Sequence, residues 1–392
     1  MPQKRKFKLD NFLEVLTVKS GLSTGVIARK IKCHISTALR YLRELKTAKQ
    51  VIEQRISNTV NLWKLTGKRI LLIDVDSKNF PNIALMKISM YFKAKGDNVT
   101  LIRGSQVDLT DKPDKVYATI IFKKNRHALD YLLDAYPDLD IDIGGSGYDL
   151  HKTLPDYIEN LKPDYSLYPE FDYSIGFSSR GCIRNTKTCP FCIVPIKEGR
   201  YRRTQHPREW YNPEFKTIVF LDNNILADKE YFMQITAWCT EKKLRLQFNQ
   251  GLDIRRLDEE IARRLLEMPK HGMINFAWDH VEDESVIREK VDLLKRVGFS
   301  NNKLRAKIQF YVYVNDDSEA EYQSGVYRCR ELKKLHCNSY VMYNIDNERT
   351  QRIKDLQRWS IRKIFYWIND ISDYKGNIKE SKILKKSHGA SV

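Results

Sequence analysis

Between residues 9 and 66 apolar positions recur three times with helical spacing and then begin to alternate. Phe12, Leu13, Val15 and Leu16 make one apolar face that ends near Gly21. Ile27 and Ile31 mark a short second helix behind the N-cap oxygens of Ser23 and Thr24, and Leu39, Leu42 and Leu45 mark a third that Ser36 opens. QVIEQRIS, a turn at Asn58 and VNLWKL then read as a β-hairpin. Three helices followed by a hairpin predict a winged helix-turn-helix over residues 1–66.

The pattern changes at KRILLIDVD, a short apolar strand ending in acidic residues, followed by the helical ALMKISMYFKAKG and the strands NVTLIR and VYATIIF. Strand, helix, strand predicts a parallel, Rossmann-like sheet over residues 67–165, which the glycine cluster of IDIGGSGYD closes. From 166 to 374 the strand candidates TIVFLD, LRLQFN, GMINFAWD, AKIQFYVYVN and SYVMYNI alternate with helical stretches such as EEIARRLLEM and REKVDLLKRVG. Most of these strands end in a polar residue, as expected of a β/α barrel or part-barrel whose ligands sit at the carboxyl ends of its strands. The fold class is therefore α/β, with a basic, mobile tail from 375 to 392 that carries few large apolar groups.

Hydrophobic residues make up 42% of the 392 positions, enough for ordinary cores, so a disordered chain is excluded. No apolar run approaches the roughly 18–20 residues that span a bilayer, and MPQKRKFKLD leads into a polar segment; a cytoplasmic protein is expected. The formal charge of +18 is uneven, because residues 1–66 hold 14 Lys and Arg against 4 Asp and Glu. Such concentration points to a polyanion, and Arg40, Arg43 and Lys46, at three-residue spacing on the third helix, are the candidate DNA or RNA contacts. A merely solvated basic face is the alternative.

Three of the seven cysteines, Cys182, Cys189 and Cys192, form C-x6-C-x2-C within eleven positions just before the barrel's alternation. A structural zinc takes four protein ligands, and no second C-x2-C or H-x3-H lies near; three thiolates instead suit an iron–sulfur cubane with one iron left open. Cys33, Cys239, Cys329 and Cys337 are scattered and read as buried, inert thiols.

In these residues the chain resembles the radical S-adenosylmethionine superfamily, with Phe191 in the aromatic place between the last two cysteines. GGSGYD, PDYSLYP, GFSSRGC, CPFCIVPIKEG, LDNNILA and NQGLDIR resemble more narrowly a group of cobalamin-domain-like radical enzymes of microbes and phages, over roughly residues 68–365. The chain departs from the superfamily pattern in having six residues, not three, between Cys182 and Cys189.

The resemblance implies a [4Fe-4S] cluster on the three cysteines whose open iron is chelated by S-adenosylmethionine, one-electron cleavage of that cofactor to a 5′-deoxyadenosyl radical, and hydrogen abstraction from a substrate. It implies a one-electron donor such as flavodoxin or ferredoxin. It places Asn223 and Asn224 at the methionine amino group, Asp253 at the ribose hydroxyls and Arg255 at the methionine carboxylate, although Asp222, Asp253 and Asp279 would serve equally as helix caps. Cobalamin domains carry a histidine where this chain has Asp76, which favours an inherited fold without cobalamin and leaves base-off binding open. The substrate is expected to be a nucleic acid or something carried on one. A redox-sensing transcription factor, or a radical enzyme acting on a small metabolite or peptide, are the alternatives.

Overall fold

The computed structural model describes residues 7–18, 21–48, 50–57, 60–76, 79–104, 113–344 and 347–377, and within these the chain forms two compact units, residues 1–167 and 168–392. Most of the expected tail lies outside the described residues. Both units are mixed α/β with parallel sheets. No helix among the described residues is long and apolar enough to cross a membrane.

The first unit opens with helices Leu9–Val18, Thr24–Ile31 and Ile35–Thr47 against an antiparallel sheet of Leu22–Ser23, Asn61–Leu65 and Val51–Arg55. Phe12, Ile27, Leu42, Leu45 and Trp63 are buried together at its centre. Two helix starts differ from the sequence expectation. Ser23 is an N-cap by position but makes no side-chain capping bond, and Thr24 Oγ1 instead accepts from Trp63 Nε1 at 2.9 Å, tying helix to sheet. The third helix begins one residue before Ser36, capped by His34, whose Nδ1 accepts from the Ser36 amide at 3.3 Å.

The rest of this unit is a four-stranded parallel sheet in the order Asn98–Arg103, Arg69–Asp74, Lys115–Thr119, Ile141–Gly144. The first strand in sequence lies inside the order, so the direction of winding reverses beside it, which is where open α/β sheets take ligands. Part of that end is already engaged by protein. Asp76 accepts from the amides of Ile121 and Phe122 and from the Asn125 side chain. Gly145 and Gly147 are pressed on the same segment: a Cβ at Gly145 would stand 2.1 Å from the Ile120 carbonyl oxygen, and one at Gly147 2.4 Å from Ile120 Cγ2.

The second unit carries two three-stranded parallel sheets, Arg245–Phe248, Thr217–Phe220, Tyr173–Gly176 and Ile274–Ala277, Ile308–Val314, Asn338–Tyr343. They are stitched where Leu252 N donates to Asn275 O at 2.7 Å and Asn275 Nδ2 to Phe248 O at 3.2 Å. In Ile308–Val314 burial alternates strictly. Ile308, Phe310, Val312 and Val314 enter the unit's core, and Gln309, Tyr311 and Tyr313 take the other face. Helices follow the strands and start at acidic or hydroxyl caps: Asp228 accepts from Tyr231 N at 3.0 Å, Asp258 from Ile261 N at 2.9 Å and Ser318 from Glu321 N at 3.4 Å.

Candidate functional site

The cysteine segment leaves the carboxyl end of Tyr173–Gly176, a strand the apolar pattern alone does not reveal. Gly176 is required there, since a Cβ would lie 2.6 Å from the Trp210 ring. Ser179–Arg180 then pairs antiparallel with Arg202–Arg203. Between these short strands Cys182 N donates to Gly199 O and Tyr201 N to Cys182 O, each at 3.2 Å, so loop 182–199 is pinned at its base. Gly181, at φ +76°, lets the two chains approach; a Cβ there would be 2.3 Å from the Arg200 carbonyl oxygen. The enlarged spacing between the first two cysteines is an ordered turn. Asn185 Oδ1 accepts from Lys187 N at 3.0 Å and Thr188 N at 3.1 Å, and Cys189 N donates to Asn185 O at 3.0 Å.

Asp222 anchors the lead-in from the neighbouring strand. It is buried and accepts from Ser178 N at 3.1 Å and from the hydroxyls of Ser178 and Ser179, each at 2.6 Å. Burial pushes its carboxyl up, and the serine bonds only partly offset this. Two residues on, Asn224 Nδ2 donates to Cys182 Sγ at 3.5 Å. Asn224 is only 4% exposed, yet its Oδ1, like Asn223 Nδ2, finds no hydrogen-bond partner among the described residues. A buried carboxamide acceptor left open is costly unless something occupies it.

Arg184 lies inside the enlarged loop and connects the remaining pieces. Its amide donates to Cys182 Sγ at 3.4 Å, one guanidinium nitrogen to Cys189 Sγ at 3.6 Å and another to Asp253 Oδ1 at 2.8 Å. Burial depresses the guanidinium, but the Cys189 and Asp253 partners outweigh it and its acidity falls overall. Burial pushes the thiols of Cys189 and Cys192 up; the Arg184 guanidinium partly offsets this at Cys189, and Cys182 adds to it at both. Among the described residues no three His, Cys, Asp or Glu side chains form a ready-made site for an ion. The donor set nevertheless suits a cluster body, whose irons take separate thiolates, and the amide and guanidinium donors around sulfur are the contacts such clusters receive.

Asp253 caps the turn Ile254–Arg256, accepting from Arg255 N at 3.3 Å, and also binds Arg255 Nε at 3.0 Å. Arg255 reaches on to Asp283 at 3.4 Å. The pair implied for ribose and carboxylate recognition is thus engaged in the chain's own ion pairs, and both side chains would have to exchange partners to take those roles. Burial pushes the carboxyls of Asp253 and Asp279 up; Asp279 stands in the field of Arg184 and of both Cys189 and Cys192. Phe191 stacks on Tyr313, with ring centroids 3.9 Å apart and planes at 21°, laying the cysteine loop over the tyrosine face of the second sheet. Sequence reasoning missed Arg184, Tyr313 and the serine anchor of Asp222.

In the first unit Arg40 and Arg43 are exposed, with Arg40 over the Tyr41 ring, but Lys46 Nζ is paired with Glu53 at 2.7 Å. Of the positions that bear on cobalamin, Asp76 is bonded to protein and Gly145 packs on Ile120, whereas a Cβ at Gly144 would meet nothing within 4 Å.

No family model matches the chain. No curated protein matches it either. Among solved structures it is similar to a proposed aspartate carbamoyltransferase of Leishmania major Friedlin at 10% identity, over 88% of this chain and 94% of that one, with a TM-score of 0.18. A score that low carries no argument about fold or function.

Proposed function

We propose that the chain is a radical S-adenosylmethionine enzyme, with a winged helix-turn-helix and a Rossmann-like domain preceding a partial β/α barrel. The observation that carries this reading is the pinned three-cysteine loop at the carboxyl ends of parallel strands, with the buried, open Asn224 acceptor beside Cys182. Cys182, Cys189 and Cys192 would hold a [4Fe-4S] cluster, and Asn224 Oδ1 would accept from the amino group of S-adenosylmethionine. When bound, the reduced cluster supplies the electron that cleaves the sulfonium. The chain's own part is positional: Asp222 fixes Ser178 and Ser179 before the first cysteine, and the Phe191–Tyr313 stack covers one side of the loop. The electron would come from a donor of the flavodoxin or ferredoxin type. Anaerobically reconstituted protein given dithionite and S-adenosylmethionine should form 5′-deoxyadenosine by mass spectrometry, faster with the right nucleic acid present. Absence of that product under every condition would move the reading to a redox-sensing regulator.

The exposed Arg40 and Arg43 support a nucleic-acid substrate, docked through the third helix. Replacing Arg43 by Ala should weaken duplex binding and reduce the slope of log affinity against log salt by about 0.9. Lys46→Ala should change it less, because Glu53 already neutralises that ammonium. Titrations at several salt concentrations check both; equal slopes for wild type and Arg43→Ala would leave the helix as a solvated surface and favour a metabolite or peptide substrate.

A further inference from the structure

We propose that Arg184, two residues after Cys182 in the loop that leads to Cys189, is a positioning residue that holds the cluster ligands against Asp253 and sets the cluster's ease of reduction. The inference rests on the cluster assignment made above.

Three independent contacts meet on this one residue. Its backbone amide is directed at Cys182 Sγ and its guanidinium at Cys189 Sγ, so two of the three sulfurs receive an N–H donor from the same side chain and its own peptide. The opposite edge of the guanidinium is fixed by Asp253 at 2.8 Å, and both partners are largely buried, their side chains 17% and 8% exposed. The turn built on Asn185 fixes the chain immediately after Arg184. A forked, permanently charged donor suits this double duty, whereas an ammonium reaches only one partner at a time.

The consequence follows from charge. A cluster held on these cysteines would gain one negative charge on accepting one electron from the external one-electron donor, with no proton required. A buried cation and N–H donors at sulfur favour the more negative form, so they raise the reduction potential. Asp253 opposes this in part and ties the balance to the strand that precedes the Ile254–Arg256 turn. Changes at Asp253 should therefore be felt at the cluster, although Asp253 touches none of the thiols in the contacts described.

The test uses full-length, anaerobically reconstituted protein without S-adenosylmethionine, and reads iron content and the midpoint potential from a dye-mediated titration followed by electron paramagnetic resonance. Arg184→Met should make reduction at least tenfold less favourable, about 59 mV for one electron. Arg184→Lys should recover most of that change. Asp253→Asn should shift the potential upward in wild type and by less in the Arg184→Met background, a non-additivity expected of coupled neighbours. Iron lost in Arg184→Met but retained in Arg184→Lys, with a near-native potential, would also support the charge role. An unchanged potential in Arg184→Met, or iron lost in both variants, overturns it. Absence of a cluster in the wild type would instead defeat the assignment on which it rests.

Discussion

Arg328→Met should lower the stability of the second unit by roughly 3 kcal/mol, taking about 1 kcal/mol for each of three carbonyls left without their donor. Arg328 sits on the Glu319–Lys334 helix, only 1% exposed, and its guanidinium donates to Trp278 O at 2.9 Å, Asp279 O at 2.8 Å and Tyr313 O at 2.9 Å, besides Ser324 O at 3.1 Å on its own helix. Those first three carbonyls belong to the ends of two neighbouring strands, where Asp279 and Tyr313 enter the site. Burial pulls the guanidinium's pKa down, and no carboxylate among the described residues is bonded to it, so the carbonyl dipoles hold the charge. In a unit of about 225 residues the loss corresponds to a melting point lower by roughly 6–12 °C. Arg328→Lys should fall between, since one ammonium cannot span all three oxygens. A thermal or denaturant transition unmoved in Arg328→Met would show that the strand ends are held by packing alone.

Replacing Cys182, Cys189 or Cys192 by alanine should drop bound iron from about four per chain to nearly none, because a cubane loses its anchor with any of its few thiolates. Alanine at Cys239, Cys329 or Cys337 should leave iron in place. Those three are fully buried, and burial raises all three thiols, to about 11 at Cys329 and about 12 at Cys337. A thiol so reluctant to ionise behaves as a small apolar side chain. Cys33 is partly buried among the apolar residues of the first three helices and should also be dispensable. Metal analysis and the visible spectrum read the result directly. Retention of iron in all three loop variants would place the metal elsewhere.

Much of the architecture was legible because it depends on local pattern. TIVFLD, LRLQFN and AKIQFYVYVN are strands where the apolar runs put them, since a run buried on one or both faces has few other homes. Tyr173–Gly176 escaped because four residues that include Ser and Gly carry no such run; pairing with Thr217–Phe220 makes it a strand. Caps were less secure. Asp222 looked like the cap of the helix after its strand, but Asp228 takes that place and frees Asp222 for the serines. Asp253 does cap the turn that follows it, and pairs with two arginines as well.

Within the site, the cysteine spacing was visible, but the contacts that organise it were not. Arg184 and Asp253 are 69 positions apart and meet only because the loop folds across the strand ends. The three-residue rhythm placed Arg40, Arg43 and Lys46 on one helix face, while the claim of Glu53 on Lys46 depends on the hairpin's return. Side-chain partnerships of this kind are set by tertiary contact, which periodicity does not encode.

The central claim is tested most directly by the electron paramagnetic resonance spectrum of the dithionite-reduced, reconstituted protein before and after addition of S-adenosylmethionine. The account predicts a reduced [4Fe-4S] signal whose g values change when the cofactor is added, with the change lost or weakened in Asn224→Ala although the cluster remains. Stoichiometric zinc with no iron, or a cluster signal indifferent to S-adenosylmethionine at saturating concentration, would contradict it.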